Sequence, residues 1–196
     1  MVKKNNDLKH LRKAIKKRQD AKRFEHTMGV EFTAAALAMR YDESIQNARV
    51  AGILHDCAKC MSDEKRLAIC DRHGIMVTDI ERRNPFLLHA KVGAYLAEKK
   101  YGVRDQNIFN AIKFHTTGRE AMSTLEKIIF VADYIEPGRR RVPGLPEIRK
   151  LAFKDLDAAV LQILENTLNY LRDSGGEIDP MTEVTCNYYR EKARRE

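Results

Sequence analysis

Leu54-His55-Asp56-Cys57-Ala58-Lys59 breaks an apolar stretch with an adjacent histidine and aspartate, and a lysine follows about one helical turn later. Two unlike metal-binding groups side by side are uncommon in a buried helix unless they bind something. The periodicity around them predicts a helix over residues 44–59. On it Ala51, Gly52, His55 and Lys59 share one side, and Asp56 stands about 100° round from His55. Gly52, one turn before the pair, lets a neighbouring helix approach.

Outward from this segment the pattern is helical almost everywhere. Residues 7–20 and 22–40 read as amphipathic helices, the second with His26, Val30, Thr33 and Leu37 on its inward face. Ser62, followed by Asp63 and Glu64, is a helix start, and Gly74 is its stop. Asn84-Pro85 precedes a helix over 86–100 carrying His89, Val92, Gly93 and Leu96 on one face, closed by Gly102. Residues 105–115 place Ile108, Ala111, Ile112 and His115 together, and the polar turn Thr116-Thr117-Gly118-Arg119 leaves His115 at a helix end. Ser123-x-x-Glu126 is a capping box ahead of the apolar run 128–132, so that run reads as helix, with Asp133 directly after it. A basic loop over 139–146 and one or two helices over 147–173 follow. The tail beyond Gly175 is short and mixed and predicts no element. His10 and His73 fall outside the apolar stripes and read as surface residues.

Composition sets the frame. The chain has 196 residues and an apolar fraction of 43%, and the expectation is one all-α domain over 1–196 with its core at about 20–172. No apolar run of about 18 residues spans a membrane, and no apolar signal stretch follows the basic N-terminus, so the expected location is the cytoplasm. Cys57, Cys60, Cys70 and Cys186 read as reduced thiols; Cys57-x-x-Cys60 lacks the second pair of a zinc site. The net charge of +8 favours anionic partners, and residues 9–23 hold much of it. That segment reads first as the solvated face of an amphipathic helix, then as an attractor for a phosphate-rich ligand. Nucleic acid is the poorer partner, because no aromatic side chains interleave with the charges.

His26, His55, His89 and His115 lie on the inward faces of four helices, with Asp56 and Asp133 nearby in the pattern. Ligation explains all six at once. Imidazole and carboxylate suit iron, manganese, cobalt, nickel or zinc, and six groups exceed the need of one four-coordinate ion. They suffice for two divalent ions with Asp56 shared, an arrangement that clamps an in-line displacement at phosphorus. Asp56 and Lys59 are the candidate catalytic groups. Lys59, Arg139, Arg23, Thr116 and Thr117 are candidates for holding phosphate oxygens.

The pattern His26, His55-Asp56 and Asp133 resembles the HD-domain metal-dependent phosphohydrolases. Arg23-Phe24-Glu25-His26-Thr27, the 54–59 stretch, Phe114-His115-Thr116-Thr117-Gly118-Arg119 and Val131-Ala132-Asp133-Tyr134-Ile135-Glu136-Pro137-Gly138-Arg139 narrow the resemblance to the YqeK-like symmetrical bis(5′-nucleosyl)-tetraphosphatases. It runs over nearly the whole chain. It implies a single HD-domain helical bundle and a dinuclear centre with iron the first occupant. It also implies cleavage of diadenosine tetraphosphate into two ADP by metal-activated water. Carried onto this chain, it gives one ion His26, His55, Asp56 and Asp133, and the other Asp56, His89 and His115. Two rivals stand beside it: an HD phosphohydrolase on another nucleotide or an alarmone, and a nucleotide- or RNA-binding protein acting through the basic N-terminal helix. Phe86, Tyr134 and Tyr188 are the aromatic candidates for meeting a base.

Overall fold

Ser123 and Glu126 decide how the apolar run 128–132 folds. The Ser123 hydroxyl accepts the Glu126 N–H, and the Glu126 carboxylate accepts the Ser123 N–H at 2.7 Å. These two bonds satisfy orphan donors at a helix start. The run continues as a helix over Thr124–Ile135 whose residues 128–132 are all buried. The run 128–132 is apolar on every side because the rest of the fold packs round it.

The structure, a computed structural model, describes residues 7–195 apart from Arg141 and Pro143. Its helices are α1 (Leu8–Lys16), α2 (Ala21–Arg40), α3 (Ile45–Leu54), α4 (Asp63–His73), α5 (Asp79–Arg83), α6 (His89–Lys99), α7 (Gln106–Lys113), α8 (Thr124–Ile135), α9 (Leu145–Ala152), α10 (Leu156–Asp173) and α11 (Pro180–Arg195), with a 3₁₀ turn at Pro85–Leu88. No strand occurs among these residues, as the all-α expectation required. The central α8 packs against α2, α3, α7, α9 and α10. A small satellite core of Ala58, Cys70, Leu88 and Val92 sits beneath α4, the 3₁₀ turn and α6. Arg141 and Pro143 of the expected 139–146 loop, and the first six residues and the last of the chain, lie outside the described residues.

Helix α1, expected over 7–20, ends at Lys16, and three further departures from the sequence reading bear on the site. The helix expected over 44–59 stops at Leu54. Beyond it the backbone bonds switch to tighter i→i−3 turns, with Cys57 N–H to Leu54 O, Lys59 N–H to Asp56 O and Met61 N–H to Ala58 O. The carbonyls there are taken by side chains. Gln19 donates to Asp56 O at 3.2 Å, and buried Arg66 donates to the carbonyls of Ala58, Lys59 and Met61. Lys59 is therefore carried by a turn rather than by the helix of His55. Second, the helix expected over 86–100 is a Pro-initiated 3₁₀ turn followed by α6, and α5 precedes it on a capping box of Thr78 and Glu81. Third, the tail holds a 16-residue helix, α11, which packs on α10 and buries Thr182, Thr185, Cys186 and Tyr189.

Helices α2 and α3 lie close enough that a Cβ on Gly52 would stand 2.9 Å from the Cα of Glu31. Glu31 is itself immobilised: fully buried, it accepts two bonds from Arg12 of α1 at 2.7 and 2.6 Å and one from Arg49 of α3 at 2.9 Å. A buried charge is tolerated when it is paired this fully. These contacts set the height at which α3 delivers His55 and Asp56.

Candidate metal centre

Three of the four inward histidines are held by one local device. His55 Nδ1 lies 2.7 Å from Gly52 O, His89 Nδ1 2.6 Å from Phe86 O, and His115 Nδ1 2.7 Å from Ile112 O. In each case the partner is the carbonyl three residues back. A carbonyl only accepts, so Nδ1 carries a proton and Nε2 is the ring nitrogen turned toward the centre. His26 is held differently: its Nδ1 donates to the Glu136 carboxylate at 3.1 Å. All four Nε2 atoms converge on Asp56.

The two oxygens of Asp56 face different histidines. Oδ1 lies 3.4 Å from His89 Nε2 and 3.6 Å from His115 Nε2. Oδ2 lies 3.5 Å from His55 Nε2 and 3.9 Å from His26 Nε2. Asp133 joins the second group, with Oδ1 3.0 Å from His26 Nε2 and 3.9 Å from His55 Nε2. His26, His55 and Asp56 form one set with ligand atoms close enough to share an ion; His55, His115 and Asp133 form another, and Asp56, His89 and His115 a third.

This donor set fits divalent metal. His26 Nε2 and His55 Nε2 are buried and make no aligned hydrogen bond, although His26 Nε2 approaches Asp133 closely. Such orphaned acceptors are costly unless something binds them. Burial, the neighbouring His115 and the Lys59 charge push His89 down to about 3, so it stays neutral and available as a ligand. Burial alone would raise Asp56, but the histidines gathered round it, His55 first, outweigh burial and hold the carboxyl well below the usual range. Asp133 is held low in the same way, by the close approach of His26 and the neighbouring His55 acting against burial. Both carboxylates are ionised where cation binding needs them.

The cationic candidates reach the centre from two sides. Arg23 Nη1 meets Asp56 Oδ2 at 2.9 Å, and Arg139 Nη2 meets Asp133 Oδ1 at 2.8 Å while its Nε holds Asp133 O. Both arginines line a cleft of about 400 Å³ with Lys22, His26, Glu136 and Arg140. On the opposite side Lys59 Nζ lies 3.2 Å from His89 Nε2, the one ring nitrogen there that accepts. Thr116 and Thr117 do not join these groups. They border a separate pocket of about 100 Å³ with Lys91 and Lys113, and Thr117 donates its hydroxyl to Gly118 O. Cys57 is buried against Gly93 O, and burial pushes its thiol up to about 12, while Cys60 is exposed; neither is among the convergent ligand atoms.

Sequence reasoning assigned no role to Glu136, Gln19 or Arg66. Glu136 is 3% exposed, takes His26 Nδ1 on one oxygen and the Gly138 N–H on the other at 2.5 Å, and lies over Gly29, where a Cβ would stand 2.4 Å from Oε2. Its place in the Glu136-Pro137-Gly138 turn is the only sequence signal. Such outer partners orient ligating histidines and raise their basicity, and their loss costs about 10–100-fold in metal affinity or activity. Glu136→Gln leaves one acceptor oxygen for two donors. Its metal affinity, measured by competition with a chelating dye, is expected to fall by about tenfold or more with the helical circular dichroism intact. Unchanged affinity would remove Glu136 from the centre.

Residues 23–138 match the HD domain family. The chain is 42% identical over 174 residues to the symmetrical bis(5′-nucleosyl)-tetraphosphatase of Bacillus subtilis (strain 168), covering 89% of this chain and 92% of that one. It is 42% identical over 165 residues to the protein of that name from Halalkalibacterium halodurans, covering 84% and 87%. A crystal structure from Clostridium acetobutylicum, described as that of a predicted HD superfamily hydrolase involved in NAD metabolism, superposes with a TM-score of 0.91 at 42% identity over 95% of this chain and 98% of that one. The match spans α2 to the Glu136 turn, the same stretch that carries all six convergent side chains. The chain therefore belongs to the HD domain family and, within it, to the symmetrical bis(5′-nucleosyl)-tetraphosphatases.

Proposed function

We propose that this protein hydrolyses diadenosine tetraphosphate symmetrically to two ADP. The observation that carries the chemistry is the division of Asp56: one oxygen toward His89 and His115, the other toward His26 and His55. That division suits a carboxylate shared by two divalent ions, with His26, His55 and Asp133 completing one set and His89 and His115 the other. Iron is the first candidate, and manganese, cobalt, nickel and zinc suit the same ligands. Bound there, the ions supply Lewis acidity and lower the pKa of water. The choice of a dinucleoside tetraphosphate is supported by the names of the 42%-identical relatives.

The chain's own residues bind and orient the phosphates. Lys22, Arg23, Arg139 and Arg140 give the cleft beside His26 a positive wall for one end of the polyphosphate, partly balanced by Asp20, Glu25 and Glu136. Arg139 is braced through Nε and Nη2 on Asp133, so its planar fork is presented in one orientation. Lys59 places a point charge on the far side, beside His89. Together these cations stabilise charge developing on the leaving nucleoside diphosphate. No protein acid is required, because ADP leaves far more readily than an alkoxide. Among the described residues no helix is long and apolar enough to cross a membrane.

Product chromatography tests the reading. With diadenosine tetraphosphate and added metal, ADP is the expected sole product. AMP with ATP would reveal cleavage at an outer linkage, and turnover of guanosine alarmones in preference to the tetraphosphate would replace the substrate.

A further inference from the structure

We propose that Phe86 is the stacking platform for one nucleobase of the substrate, an inference that rests on the function proposed above. Phe86 sits in the 3₁₀ turn Pro85–Leu88 with 51% of its surface exposed, while Leu88 two residues on is fully buried. It packs into neither hydrophobic core. Most exposed phenylalanines need no explanation, but this one is held in place by its backbone. Arg66 Nε donates to Pro85 O at 3.1 Å, and His89 Nδ1 donates to Phe86 O at 2.6 Å. Two consecutive carbonyls of the turn are thus anchored, one to a buried guanidinium and one to a metal-ligand candidate. In a 3₁₀ turn residues i and i+3 eclipse, which puts Phe86 on the face of His89.

An exposed aromatic with an anchored backbone, one turn from the His89 ring that Lys59 Nζ approaches at 3.2 Å, is what a base needs to stack on. The other aromatic candidates lack this freedom. Tyr134 packs against the main core and hydrogen-bonds Asn166, and Tyr188 packs against the same core edge-on to Tyr189. The position also suits the symmetry of the reaction. The basic cleft lies on the His26 side of Asp56, and Phe86 is tied through its carbonyl to His89, which faces the other oxygen of Asp56. A substrate cut in the middle of its phosphate chain needs a nucleoside seat on each side of the centre.

The chain contains no tryptophan, so Phe86→Trp installs a single indole at this position. ADP is expected to quench its fluorescence saturably, and inorganic pyrophosphate, which carries the phosphates without a base, is expected to leave it unchanged. Phe86→Ala should raise KM for diadenosine tetraphosphate about tenfold and leave inhibition by pyrophosphate unmoved, with Phe86→Tyr restoring KM. An indole indifferent to ADP, under conditions where calorimetry shows ADP bound, would overturn the platform. So would an unchanged KM in the alanine variant. If ADP quenches the indole but the tetraphosphate is not hydrolysed, the platform stands and the proposed activity falls.

Discussion

Asp56→Ala is expected to lower turnover of diadenosine tetraphosphate by at least about a thousandfold, with metal supplied in excess. Asp56 approaches both histidine pairs, through separate oxygens at 3.4–3.9 Å. Alanine removes a ligand from each set at once. A loss of roughly 4 kcal/mol of transition-state stabilisation corresponds to a thousandfold in rate, and polarisation by bound metal is worth several kcal/mol. The variant also leaves Arg23 and buried His55 without their carboxylate. Breaking a buried pair from one side costs about 3–5 kcal/mol in stability, so melting must be followed in parallel. Metal content by mass spectrometry separates the effects: the expected result is a folded protein with less than half the wild-type metal. Normal turnover in this variant would end the two-ion account.

Gly52→Ala is expected to destabilise the fold by adding a single methyl group. The new methyl would stand 2.9 Å from Glu31 Cα and 3.2 Å from Glu31 N, both backbone atoms of α2. Glu31 cannot yield easily, since Arg12 and Arg49 clamp its carboxylate from two other helices. Overpacking of this kind costs about 1–3 kcal/mol, against a gain of roughly 1 kcal/mol from replacing a helical glycine. With the neighbour clamped, a net loss of about 1–2 kcal/mol is expected, or a fall in Tm of roughly 2–8 °C for a chain of this size. Gly52 O also accepts His55 Nδ1, so separating α2 from α3 turns the His55 ring. Activity should therefore fall by more than the unfolded fraction explains. A variant as stable as wild type would show that α2 and α3 are free to part.

The six convergent side chains were legible because each stands where an apolar stripe should continue. His26, His55, His89 and His115 occupy core positions of four separate periodic segments, and a core residue's direction follows from spacing alone. The helix starts at Ser62 and Ser123 and the stop at Gly74 were legible for a local reason: their hydrogen bonds close within a few residues. The turn over residues 55–60 was not. Its helix ends because Gln19 and Arg66, distant in sequence, take its carbonyls. Helix α11 was missed because its buried face is built of Thr182, Thr185, Cys186 and Tyr189, which carry a weak apolar signal. Glu136 was hidden for the same reason as Gln19: its partner His26 lies 110 residues away. Thr116 and Thr117, adjacent to His115 in sequence, turn toward another pocket, since adjacency at a helix end does not determine direction.

Gln19 illustrates how the scaffold reaches the centre through backbone as well as side chains. It is buried between α1 and α2, accepts the Thr27 hydroxyl at 2.9 Å and donates to Asp56 O at 3.2 Å. Arg66 does the same for the far wall, joining the carbonyls of the Lys59 turn to that of Pro85. The spacing between Lys59 and His89 is thus set by one buried guanidinium together with the packing of Ala58 against Leu88 and Val92.

Anomalous diffraction from crystals grown with manganous ion tests the central claim most directly. Two peaks are expected, one among His26, His55 and Asp133 and the other between His89 and His115, with Asp56 bordering both. A single peak, or density at the Cys57 and Cys60 thiols in place of the histidines, would contradict the shared-carboxylate centre.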